Sequence, residues 1–166
     1  MKTGKLMRMA LLTAVALIIF VVEAQIPVPI AVPGVKLGLS NVVTVYAVFT
    51  LGPGPALMIL FCRVFLGAVF TGQMMTLMYS MAGGFLCWCV MCLLRKVMTA
   101  EQIWLCSVFG AISHNIGQMV VAVAITRTPS LLAYLPVLMV SAVVTGAFTG
   151  LAAQLVMKRL KESGIK

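Results

Sequence analysis

Aspartate is absent from this chain of 166 residues, and its only acids are Glu23, Glu101 and Glu162. An aspartate-rich diphosphate–Mg²⁺ site is therefore excluded, and three scattered glutamates do not replace it. The chain contains no G-x-x-x-x-G-K-[ST], so it cannot hold ATP in a P-loop. No Ser/His/acid or Cys/His arrangement suits a nucleophile, so the chain is not expected to be an enzyme, and nothing calls for a metal or a cofactor. Charge of either sign is scarce, at 9% of residues, against about 25% in a soluble domain. With 63% hydrophobic residues and a mean hydropathy of +1.17, the sequence is that of an integral membrane protein whose surroundings are a lipid bilayer. The net charge of +9 does not point to nucleic acid, because no basic stripe is interleaved with aromatics.

Five cysteines are present: Cys62, Cys87, Cys89, Cys92 and Cys106. Cys89 and Cys92 make a C-x-x-C, but a metal needs thiolates, and an apolar helix disfavours that charge. Packing as small hydrophobes is the expected role.

A helix needs about 20 residues to cross the hydrocarbon core. Six apolar segments can be drawn, Leu6–Val22, Leu37–Leu51, Pro55–Phe70, Met74–Leu94, Ile103–Ile125 and Leu131–Met157. Gly52-Pro53-Gly54-Pro55 forces a tight turn between the second and third. The expected fold is one all-α transmembrane domain over residues 1–166, a six-helix bundle. With both termini cytoplasmic, the inner flanks collect nine positive residues: Lys2, Lys5, Arg8, Arg95, Lys96, Lys158, Arg159, Lys161 and Lys166. The outer loops keep two, Lys36 and Arg127, which is the positive-inside bias of an even number of spans. Val22-Glu23-Ala24 also resembles a signal cleavage site, although retention of the first span is expected. Between the first two spans, residues 26–34 are apolar yet carry three prolines. Such an extended segment reads either as a short linker or as a plug over an outward-facing pocket.

Polar residues inside the apolar runs are few. Arg63 lies in the middle of the third segment, and an intramembrane arginine normally faces a protein interior and has a partner. Glu23 is the one acid near a span, so either Glu23 neutralises Arg63 or an anionic molecule does. Ser40, Asn41, Thr44 and Tyr46 occupy the second span, and Gln73, Tyr79 and Ser80 lie at or near the start of the fourth. Ser113-His114-Asn115-Ile116-Gly117-Gln118 interrupts the fifth. His114 and Gln118 are i,i+4 with Asn115 beside them, so one helical face is expected to present all three. Two readings stand: interhelical glue, or a ligand pocket whose wall includes Asn41, Arg63, Tyr79, His114, Asn115 and Gln118. Small residues recur at four-residue spacing on two helices. Ala142, Gly146 and Gly150 on the sixth read as close packing, and Ala10 and Ala14 mark the first.

Residues 32–44 (VPGVKLGLSNVVT), Arg63, residues 79–84 (YSMAGG), residues 114–118 (HNIGQ) and Tyr134-Leu135-Pro136 recur in order. With them the chain resembles the Gx transporter family, often labelled heptaprenyl diphosphate synthase component I. That family resembles the substrate-binding S components of energy-coupling factor (ECF) transporters. The resemblance implies a six-helix protein of the bacterial cell membrane that captures a small molecule from outside and delivers it to an ATP-hydrolysing module. It implies that Ala10-Leu11-Leu12-Thr13-Ala14, an A-x-x-x-A, contacts the coupling subunit of that module. The substrate it allows is an isoprenoid or quinone precursor, or a vitamin such as a flavin. The alternative is a non-catalytic membrane subunit associated with a prenyl diphosphate synthase or a redox complex.

Overall fold

The computed structural model describes residues 3–25, 38–72 and 74–163, and within them every regular element is helical. Six α-helices run in order: α1 (Thr3–Gln25), α2 (Asn41–Thr50), α3 (Pro53–Thr71), α4 (Met74–Leu94), α5 (Ile103–Thr126) and α6 (Leu135–Glu162). Short 3-10 turns at Ala100–Gln102 and Pro129–Tyr134 lead into α5 and α6. The five long helices each have the length and apolarity to cross a membrane. The proline-rich stretch 26–34, with its linker and plug readings, lies outside the described residues, as does Gln73.

The second segment departs from expectation. It was expected over Leu37–Leu51, but the helix has 10 residues, only about 15 Å at 1.5 Å per residue, half of a hydrocarbon core about 30 Å thick. Six of those residues are buried: Asn41, Val43, Thr44, Val45, Ala47 and Val48. A helix buried on nearly every side is a central one, and α2 touches α1, α3, α4, α5 and α6. At its C-terminal end Gly52 turns the chain with φ of 98°, a left-handed backbone that glycine adopts without penalty. Pro53 then opens α3, where its missing N–H costs nothing.

This turn lies at the end of the bundle where positive charge gathers. Lys5 and Arg8 of α1 lie beside Thr50 and Leu51, Leu160 of α6 joins Arg8 and Leu51, and Gly52 lies close to an Arg95 guanidinium nitrogen. The far end of α2, at Asn41, is therefore about 15 Å into the bundle.

The other side is a tight layer of α4, α5 and α6. A Cβ added at Gly117 would stand 2.9 Å from the Ala82 carbonyl oxygen and 2.9 Å from Gly83 Cα. One at Gly146 would stand 2.7 Å from Val108 Cα. Ala142, Gly146 and Gly150 are buried, so the stripe on α6 is a packing face, as small residues permit. Ser107 and Thr149 hydroxyls meet across the same seam at 3.0 Å. Cys87 and Cys106 are packed in the apolar core, whereas Cys62 is exposed. The polar stretch at 113–118 does not interrupt α5, which runs unbroken through it. Each of its backbone N–H groups keeps a helical carbonyl, so polar side chains alone do not open the helix.

Candidate functional site

The N-terminal end of α2 is the centre of the polar interior. Gly38 has φ of 82°, and a Cβ there would stand 2.9 Å from Asn41 Nδ2, so glycine alone fits. That turn aims the N–H groups of Gly38 and Ser40 at the Glu23 carboxylate, Ser40 at 3.4 Å. A carboxylate at a helix N-terminus is favoured by the helix dipole and by unpaired N–H groups. Backbone outside a helix at membrane depth is tolerated where it is buried in protein, as it is here.

Arg63 comes from α3 and meets the same turn from the other side. Its Nη1 donates to Ser40 Oγ, and its Nη2 donates to Asn41 Oδ1 at 3.1 Å. Ser40 precedes α2 with a helical backbone and makes no side-chain cap, which leaves its hydroxyl for the guanidinium. Glu23 and Arg63 are each 2% exposed, so both formal charges are held away from lipid. Gly38, Ser40 and Asn41 thus stand between an acid and a base. They satisfy both.

Around this turn lies a cavity of about 10 Å³ lined by Phe20, Glu23, Gly38, Ser40, Arg63, Ser80 and His114, which is room for about one water. Counted from the basic end at about 1.5 Å per residue, Arg63 and His114 lie about 15 Å along the bundle and Ser80 about 21 Å, so the site is near the middle of the long helices. His114 Nε2 faces Gln118 Nε2 at 3.0 Å. The Gln118 amide and the His114 ring thus hydrogen-bond one turn apart on the same face of α5. Among the described residues, Arg63 Nε, Asn41 Nδ2 and Gln118 Oε1 are buried without a hydrogen-bond partner. Such atoms are uncommon and costly, and a bound polar molecule is one way to satisfy them.

The structure therefore brings together Glu23, Asn41, Arg63 and His114, with Gln118 behind the histidine. It places two other candidates elsewhere. Asn115 donates through Nδ2 to the Leu138 carbonyl at 2.8 Å; it ties α5 to α6, and the single face expected for 114, 115 and 118 is split. The reason is angular, since successive helical residues are about 100° apart. Tyr79 is buried with Met119, Ala122 and Leu138 in an apolar cluster and does not line the cavity. Conversely, Ser40 and Ser80, named among the intramembrane polar residues but not placed in the expected pocket wall, line it. The one sequence sign for Ser40 is its place before Asn41 at the start of the apolar period, where side-chain oxygens cluster. Ala10 and Ala14 are exposed on the outer face of α1, among exposed Met7, Leu11, Val15 and Ile18.

No curated protein and no solved structure matched the chain. A family model did, over residues 12–156, a stretch that includes Glu23, the α2 turn, Arg63 and His114. On that match across most of its length, the chain belongs to the heptaprenyl diphosphate synthase component I family.

Proposed function

We propose that this protein is the substrate-binding membrane subunit of an ECF-type importer. It takes a small organic molecule from the outer side and passes it to a partner module that hydrolyses ATP. The observation that carries this reading is the polar interior: an acid, an arginine, a histidine and a glycine turn gathered around one cavity inside the helical bundle. Intramembrane ionisable groups are costly and mark substrate paths, and a broken helix ending beside them is a way membrane transporters build binding sites. Arg63 and His114 are the ligand contacts, with Asn41 and Gln118 supplying amide groups. The basic end of the bundle faces the cytoplasm of a bacterial cell membrane, with both termini there.

Exposed Ala10 and Ala14 form the face that meets the coupling subunit. Beside them a lateral apolar groove of about 380 Å³ opens between α1 and α6, floored by Val42, Val43 and Tyr46 of α2. The role is binding, and no step of catalysis is assigned to these residues.

The family description, which names a synthase component, favours a second reading: a non-catalytic membrane subunit that assembles with a soluble prenyl diphosphate synthase. Purification from the native membrane separates the two. Copurification of a coupling subunit and ATPases supports import, whereas a prenyl synthase in their place supports the second reading. Ala10→Trp and Ala14→Trp are expected to abolish that copurification and the uptake it drives, with folding intact, because both side chains already face outward. Unchanged assembly in both variants would remove α1 as the docking face.

A further inference from the structure

The lateral groove of about 380 Å³ between α1 and α6 does not end in apolar surface. Leu11, Leu12, Tyr46 and Leu160 of its lining also line a second cavity, which takes in Arg8, Thr50 and Leu51. Those last three residues belong in turn to a third cavity, beside Lys5. The three make one continuous cleft, apolar along α1 and basic where Lys5 and Arg8 stand. Tyr46 marks the junction, about 6 Å from the Thr50 end of α2, and an aromatic body with a polar tip suits such a boundary. Helix α1 packs on α3 and α2, and the cleft follows the flank of α1 that faces α6. Among the described residues no acid lines any part of it. Glu162, close to Leu160 on α6, pairs with Arg159 at 3.6 Å.

We propose that this cleft holds one anionic phospholipid of the surrounding membrane, with an acyl chain in the groove and its phosphate at Lys5 and Arg8. Each half of the cleft selects one half of that molecule. A soluble anion would leave the groove empty, and an uncharged hydrocarbon would make no use of the basic mouth. A helix of a partner protein is the competing occupant, but nothing in a helix calls for two cations beside an apolar slot. Basic pockets between transmembrane helices on the cytoplasmic side take anionic headgroups. Arg8 also keeps an interaction within the protein; a guanidinium has five N–H donors and serves both. The polar interior around Arg63 and the exposed Ala10 and Ala14 do not line the cleft, so its occupancy is independent of the import reading. A lipid seated there bridges α1, α2 and α6, and binding to the folded state alone stabilises it by mass action.

The test uses the purified full chain, stripped of lipid in detergent, with dioleoyl phosphatidylglycerol and dioleoyl phosphatidylethanolamine at equal concentration. The two share acyl chains and differ in net charge, and native mass spectrometry reads which is retained. The expected result is one retained lipid, with phosphatidylglycerol preferred by about tenfold. Lys5→Gln combined with Arg8→Gln is expected to bring that preference to about one. Val156→Trp, at an exposed position lining the groove, is expected to abolish retention of either lipid, because the indole takes the place of the acyl chain. Equal retention of the two lipids by the unaltered protein, or an unchanged preference in the double variant, would overturn the proposal. Unchanged retention by Val156→Trp would overturn it too, by placing the lipid outside the groove. Retention of no lipid by the folded, unaltered protein would overturn it and leave a partner helix as the occupant. If the double variant does not fold, Lys5→Gln decides alone, since Lys5 is exposed. A fall in preference of about threefold or more supports the site, and a smaller one overturns it.

Discussion

Arg63 reaches Ser40 and Asn41 with the two arms of one guanidinium, a planar fork that an ammonium cannot reproduce. Arg63→Lys is therefore expected to bind ligand about tenfold or more weakly than the unaltered protein, and Arg63→Ala at least as weakly. The competing account makes Arg63 a purely structural counter-ion of Glu23, so that removing either partner destabilises the bundle. Thermal melting and ligand retention, measured together on Arg63→Ala, Glu23→Gln and the double variant, tell these apart. A stable Arg63→Ala protein that no longer binds is the expected outcome. Full affinity in the double variant would reduce Arg63 to a counter-ion. The importance of Arg63 was legible in the sequence, because an arginine among apolar residues has few places to go. Its partners were not: Ser40 and Asn41 are more than 20 residues away along the chain, and only folding brings them to it.

At the scale of the helix, the short α2 and the glycine seams set the architecture. Gly150 on α6 lies against Trp104 of α5 so closely that an added Cβ would stand 2.5 Å from Trp104 Cα and 2.7 Å from Ser107 Cβ. Backbone cannot swing aside as a side chain can, so Gly150→Ala must push the two helices apart, at a cost of about 1–3 kcal/mol. Gly4→Ala is the control, since nothing lies within 4 Å of its added Cβ. The expected outcome is a lower melting temperature for Gly150→Ala alone, read by circular dichroism in detergent. Equal melting of both variants would mean that α5 and α6 do not pack this closely. The stripe Ala142, Gly146, Gly150 predicted close packing from spacing, but which helix it meets depends on the arrangement of all six. The same limit applied to Asn115: helical spacing put it near His114, whereas packing of α6 turned it to the Leu138 carbonyl.

For the whole molecule, Lys5 and Arg8 of α1, Arg95 just after α4 and the Leu160 end of α6 come together at one end of the bundle, the bias expected of a cytoplasmic face. In a cysteine-free background, a single cysteine at Arg127 is expected to react with an impermeant thiol reagent applied from outside, while one at Arg95 or Lys161 stays unlabelled. Outside labelling at Arg95 would invert the topology and the direction of capture.

The sequence by itself determined the membrane class, the number of apolar helical segments and the turn between the second and third. Those follow from hydropathy, proline and glycine, which act locally. It also determined which polar residues would be costly in lipid, because that cost depends on residue type and depth. Tertiary structure alone decided how they are satisfied. Only packing showed that α2 is a buried half-helix, that its N-terminal turn bridges Glu23 and Arg63, and that Tyr79 belongs to an apolar cluster. The physical reason is that a hydrogen bond depends on position and direction over a few tenths of an ångström. Residues 23, 38–41, 63 and 114 acquire those relations through the close approach of four helices, which spacing along one chain does not encode.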